Sequence, residues 1–123
     1  MNNIVLDTNI ILYAAVYNDD VALELLEENN IFISDITEIE LLGYHRLGDK
    51  EYEVLKNLIE SLNIISFNNN IKHKAIKLRR QFALKTPDAI IVSTAIEYGY
   101  FLVTADKKLH KIKDANIIQF NIA

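Results

Sequence analysis

Apolar and polar positions along this chain come in blocks rather than alternating residue by residue. Five short runs have almost no polar interruption: Ile4-Val5-Leu6, Ile31-Phe32-Ile33, Ile64-Ile65-Ser66-Phe67, Phe101-Leu102-Val103 and Ile117-Ile118-Gln119-Phe120. They read as buried strands, and the spacing between them is helical. It predicts helices over about 10–17 and 20–28, the second with Val21, Leu25 and Leu26 as its apolar stripe. Ser34 or Asp35 offers an N-cap for a helix reaching about residue 44, and Glu38 stands three residues after Asp35 in a capping-box relation. A further helix covers 50–62, with Val54, Leu55, Leu58, Ile59 and Leu62 inside. After Asn68-Asn69-Asn70 comes a basic helix in which Ile71, Ala75, Ile76, Leu78, Phe82 and Ala83 can face inward. Pro87 suits the first turn of the next helix, predicted over 88–98, apolar on every side and ended by Gly99. A helical turn over 106–110 precedes the last strand. Strands without polar alternation, separated by helices, indicate a parallel sheet covered on both faces. The expected architecture is one three-layer α/β domain over residues 1–123, with a central parallel sheet of about five strands.

Composition agrees and removes several chemistries. With 123 residues, half of them apolar, the chain suits a single domain. Cysteine is absent, which excludes a disulfide scaffold, a thiolate zinc site and a cysteine nucleophile. The chain opens directly into its first strand, with no basic region or cleavage signal before it, and no apolar run is long enough to span a bilayer. The expected location is the cytoplasm. The net charge of −4 conceals an uneven distribution: residues 1–60 carry 13 acids and 3 bases, residues 61–123 carry 4 acids and 10 bases. Lys72, Lys74, Lys77, Arg79, Arg80 and Lys85 fall in a stretch with no acid at all. Such asymmetry fits a basic face beside an acidic site, and equally two solvated faces of opposite sign.

In an open parallel sheet, ligands bind beyond the carboxyl ends of the strands. Asp7, Thr8 and Asn9 follow the first strand; Ser34, Asp35 and Thr37 follow the second, with Glu38 and Glu40 in the next helix; Thr104 and Asp106 follow the fourth. Asp88 opens the helix that feeds the fourth strand. Taken singly, each acid has an ordinary explanation. Asp7 can cap a helix, Asp88 can complement a helix dipole, Asp106 can close a turn and Glu40 can be solvated. Glu38 and Glu40 lie about 200° apart around a helix, so one of them faces the site, and Glu40 is the better choice because Glu38 already has a capping role. Taken together, Asp7, Glu40, Asp88 and Asp106 are costly: two carboxylates about 5 Å apart repel by roughly 3 kcal/mol at an effective dielectric near 20. A hard divalent cation, Mg²⁺ or Mn²⁺, is the natural neutraliser of such a set, whereas zinc would want His or Cys. His45, His73 and His110 do not follow strands and read as surface residues.

The pattern resembles the PIN-domain ribonucleases, and most closely the VapC-type toxins of type II toxin–antitoxin pairs. The resemblance is carried by Ile4-Val5-Leu6-Asp7-Thr8-Asn9, by Ile33-Ser34 through Thr37 to Glu40-Leu41, by Thr86-Pro87-Asp88-Ala89-Ile90-Ile91 through Ala95, and by Leu102-Val103-Thr104-Ala105-Asp106. Each motif is weak alone; four in order over the whole chain are specific. The resemblance implies that Asp7, Glu40, Asp88 and Asp106 form a catalytic, metal-binding site, with Thr8, Asn9 and Thr104 as supporting polar groups. Ala105 departs from the pattern, since an Asn is frequent at that position. The implied activity is metal-dependent endoribonuclease, with Lys72, Lys74, Lys77, Arg79, Arg80 and Lys85 as candidate contacts to the RNA backbone. Also implied are a homodimer and a cognate antitoxin, for which Tyr13, Val16, Tyr17, Leu41, Leu42 and Tyr44 could form a groove.

Other readings stay open. A receiver domain would want an acceptor Asp after the third strand, where Asn68-Asn69-Asn70 stands. A haloacid-dehalogenase-type phosphatase would want an Asp two residues after the first, where Asn9 stands. A catalytically silent PIN-like binding module would keep the fold without the chemistry.

Overall fold

A computed structural model describes residues 2–121, so the extreme ends of the expected 1–123 domain lie outside the described residues. The element order is β1 (Asn3–Leu6), α1 (Thr8–Ala15), α2 (Asp20–Glu28), β2 (Asn30–Ser34), α3 (Asp35–Leu42), α4 (Asp49–Glu60), β3 (Asn63–Ile65), α5 (Asn69–Gln81), α6 (Thr86–Tyr98), β4 (Phe101–Thr104), a 3-10 helix (Lys107–Lys111) and β5 (Asn116–Gln119). The five strands form one sheet in the order β3-β2-β1-β4-β5, with every neighbouring pair parallel. The chain first builds outward from β1 through β2 to β3, then crosses back to add β4 and β5 on the other side. Strand order reverses at β1, and the crevice beyond the ends of β1 and β4 is the switch point where such sheets bind ligands.

The pleat divides the apolar strand residues between two cores. Ile4, Leu6, Ile31, Ile33 and Val103 turn to the face covered by α1 to α4, where Ile10, Ile11, Leu55 and Ile59 meet them. Val5 and Leu102 turn to the opposite face, covered by α5, α6 and the 3-10 helix through Ile71, Ile91, Val92 and Leu109. Helix α6 is buried along much of its length, from Ala89 through Ala95, which explains its lack of a polar face. It stops at Gly99, whose φ of 68° is the left-handed conformation that a side chain would disfavour. Among the described residues no helix is long and apolar enough to cross a membrane.

Several elements differ from the pattern read along the chain. Helix α1 starts at Thr8 rather than near residue 10, because Asp7 caps it. Helix α6 starts at Thr86, with Pro87 inside its first turn. Strand β3 ends at Ile65, and the amide of Phe67 donates to Asp35 Oδ2 at 3.0 Å. Ser34, not Asp35, caps α3, accepting from the amide of Ile36. On α2, Val21 is 56% exposed and Ala22 takes the inward position, where a small side chain lets α1 and α2 approach. Val54 and Ile76 are likewise exposed. Ala83 is also exposed, because α5 ends at Gln81 and the chain turns Leu84 inward in its place.

Candidate functional site

Asp7, Glu40, Asp88 and Asp106 border one pocket of about 300 Å³ at the switch point, together with Thr8, Asn9, Lys85, Pro87 and Ala105. Each acid comes from a different element. Asp7 follows β1 and caps α1, with Oδ1 accepting from the amide of Thr8 at 2.8 Å. Its Oδ2 accepts from the hydroxyl of Thr104 at 2.6 Å. That hydroxyl in turn accepts from the amide of Asp106 at 3.0 Å, so Thr104, fully buried at the end of β4, bridges two acids of the pocket. Asp106 caps the 3-10 helix by accepting from the amide of Lys108 at 3.0 Å. Asp7 and Asp106 thus combine helix capping with a place in the pocket. The two roles coexist because a carboxylate has two oxygens and about four lone-pair sites.

Glu40 reaches the pocket from α3, where Thr8 donates its hydroxyl to Oε1 at 2.8 Å. Thr37, buried one turn earlier on α3, lies 3.3 Å from the same Thr8 oxygen. Of the supporting polar residues expected, Thr8 and Thr104 therefore bond to acids. Asn9 lines the wall without a side-chain hydrogen bond among the described residues. Thr37 was missed as a supporting group, although Thr37 and Glu40 are three apart and share a helix face.

Asp88, in the first turn of α6, is half-buried. Its carboxyl is held above the ordinary carboxylate value, first by burial and then by the charges of Asp7, Asp106 and Glu40, with Lys85 opposing them. Burial and like charge both disfavour the ionised form. Among the described residues, Lys85 is the one basic residue lining the pocket, against four carboxylates. Among the described residues, no three His, Cys, Asp or Glu side chains converge into a ready metal-holding group. The four acids ring the pocket instead of meeting at a point. The donor set fits a hard divalent cation: carboxylates, with hydroxyls behind them, and among the described residues no imidazole or thiolate in the lining. His45, His73 and His110 are all exposed.

The basic residues separate into three groups. Lys85 sits in the acidic pocket. Lys72, Arg79 and Arg80 edge a neighbouring hollow lined by Phe67, Ala75, Ile76, Thr86 and Ile90. Lys74 and Lys77 border a different hollow beside Gln81 and Asp114, and Lys74 is paired with Glu97 at 3.0 Å. The expected groove residues divide as well. Leu41 belongs to the core and Tyr13 stacks on Phe120, whereas Tyr17 is 70% exposed and Tyr44 is also exposed.

The model of the PIN domain matches residues 4–115. The chain belongs to the PIN-domain family. Among solved structures, this PIN domain is similar to the VapBC2 complex from Rickettsia felis bound to a DNA fragment from its promoter, at 25% identity and a TM-score of 0.85, covering 97% of this chain and 99% of that one. A toxin–antitoxin complex from Klebsiella pneumoniae is 29% identical with a TM-score of 0.76, covering 96% and 98%. DNA-bound VapBC from Salmonella typhimurium, at 21% identity, shares the fold with a TM-score of 0.86 over 97% and 98%. No curated protein matches the sequence.

Proposed function

We propose that this PIN domain is a Mg²⁺- or Mn²⁺-dependent endoribonuclease and the toxin of a toxin–antitoxin pair. The observation that carries the reading is the pocket itself, where four carboxylates from four elements face a single lysine. Asp7, Glu40, Asp88 and Asp106 would hold the metal. When bound, it supplies charge neutralisation at a phosphodiester and acidification of an attacking water. The chain's own groups do the rest. Thr104 and Thr8 keep Asp7 and Glu40 turned into the pocket by donating to one oxygen of each. Lys85 offers a cation to the phosphate at the pocket wall. Asp88 faces the same pocket from α6, and a cation held there would relieve the like-charge penalty on its ionised form.

Lys72, Arg79 and Arg80 extend a path for RNA backbone, since their hollow includes Thr86, two residues before Asp88 on the same helix. Lys74 and Lys77 leave that set, lying beside Gln81, Ile96 and Asp114.

The toxin reading rests on the likeness to VapBC complexes. An antitoxin segment would settle in the hollow of Ala15, Val16, Asn18, Lys50, Glu51 and Val54, beside exposed Tyr17. A second copy of the chain would cover Ile36 and Ile39, where Ile39 is 65% exposed. That strip is mostly aliphatic and its one acid, Asp35, already accepts from Phe67, so it suits another apolar surface rather than a nucleic acid.

The test is cleavage of a labelled RNA pool with Mg²⁺ or Mn²⁺, with EDTA, and with Asp7→Asn. Discrete products that need metal and vanish in the variant are expected. Full activity in Asp7→Asn would sink the mechanism, and a folded, metal-binding protein inert toward every RNA would favour the silent module.

A further inference from the structure

We infer that Gln119, at the end of the edge strand β5, is a positioning residue for Asp106. The inference rests on the metal-site reading above and on a separate hydrogen-bond cluster that no part of that reading uses. After β4 the chain turns through Ala105 into Asp106, and Ala105 brings no polar side chain to this turn. The amide comes from Gln119 instead: its Nε2 donates to the carbonyl of Ala105 at 3.0 Å and to that of Phe120 at 3.0 Å. Its Oε1 lies 2.7 Å from His110 Nε2. Flipping the amide would set its oxygen against two carbonyls, so the network fixes its orientation. That orientation requires His110 to present an N–H from Nε2.

The geometry closes a loop around Asp106. Gln119 holds the residue just before Asp106 and, through His110, the 3-10 helix that Asp106 caps. Thr104 holds the amide of Asp106 from the other side. The backbone of Asp106 is therefore fixed on both flanks, which sets where its carboxylate enters the pocket. A glutamine is needed because it supplies two donors and one acceptor at once. Glutamate has the same shape but no donor for the two carbonyls, and leucine has neither.

The test uses the whole protein, with Gln119→Leu and Gln119→Glu, and two readouts. Without metal, hydrogen exchange at the Lys108 amide, which the Asp106 side chain holds, should accelerate in both variants, while exchange in β1 and β2 stays at wild type. With Mn²⁺ titrated by electron paramagnetic resonance, binding should weaken by about tenfold, the lower end of effects seen when such supporting partners are removed. In an Asp106→Asn background, Gln119→Leu should weaken Mn²⁺ binding no further. Wild-type exchange at Lys108 together with wild-type Mn²⁺ affinity would overturn the inference, as would an undiminished effect in the Asp106→Asn background. Accelerated exchange in a protein whose wild type binds no Mn²⁺ would overturn the metal-site reading and leave the positioning role supported.

Discussion

Replacing Thr104 by valine removes one hydroxyl and almost no volume, which makes it a sharp probe of the bridge between Asp7 and Asp106. That hydroxyl donates to a carboxylate at 2.6 Å and accepts from a backbone amide at 3.0 Å, in a residue with no exposed surface. A hydrogen bond to a charged group contributes about 1.5–3 kcal/mol, and a neutral one about 1 kcal/mol. Valine returns part of this by burying a methyl group, and Asp7 keeps some access to water through the pocket. The expected net loss is about 2–3 kcal/mol. Unfolding entropy near 2.1 cal/mol/K per residue makes each kcal/mol worth roughly 4 °C in a chain of this size, so Tm should fall by about 8–12 °C. Thermal unfolding of the metal-free protein by circular dichroism measures it. Thr104→Ser keeps the hydroxyl and loses a buried methyl, so it should lose only about 1 kcal/mol. A valine variant as stable as wild type, or less stable by no more than the serine variant, would refute the bridge.

Asp88→Asn should stabilise the metal-free protein at neutral pH. The folded carboxyl lies above its ordinary value of 3.8, so the native state holds more protons and stability falls as pH rises from that value through the raised folded one. The gain should be complete above that window and absent well below pH 3.8, as urea titrations at several pH values would show, and saturating Mg²⁺ should reverse it. Arg79→Gln with Arg80→Gln should weaken RNA binding and flatten its salt dependence, while Lys77→Gln should change neither; equal effects in a filter-binding assay would contradict the division of the basic helix. Ile39→Glu should render the protein monomeric by light scattering while circular dichroism shows the fold retained. An unchanged dimer would move the self-association surface elsewhere.

The strand ends were legible because the pattern is coarse: apolar triplets followed by Asp7, by Ser34 and by Thr104 leave little choice of register. The parallel sheet and the approach of Asp7 and Asp106 follow from that. Helix rotation was harder to read. Val21 and Ala22 are both acceptable inside, and only the closeness of α1 and α2 favours the smaller. Ile76 has the same hydropathy whether it packs inward or waits on the surface. The basic helix showed charge on several faces, and nothing local revealed that Lys74 pairs with Glu97, which lies on the next helix. Gln119 did leave a signal, as a lone amide in an otherwise apolar run. Its partner, the carbonyl of Ala105, is backbone, which no side-chain motif can point to.

The bond from Thr104 to Asp7 joins residues 97 apart in sequence, across the pairing of β1 with β4. Strand β1 is made first and occupies the middle of the sheet, yet one of its two flanking strands is among the last made. The crevice has only one wall until β4 pairs with β1. Long-range parallel pairing is slow as well as late. The four-acid lining of the pocket is therefore incomplete in a growing chain until residue 106 has emerged and β4 has paired with β1.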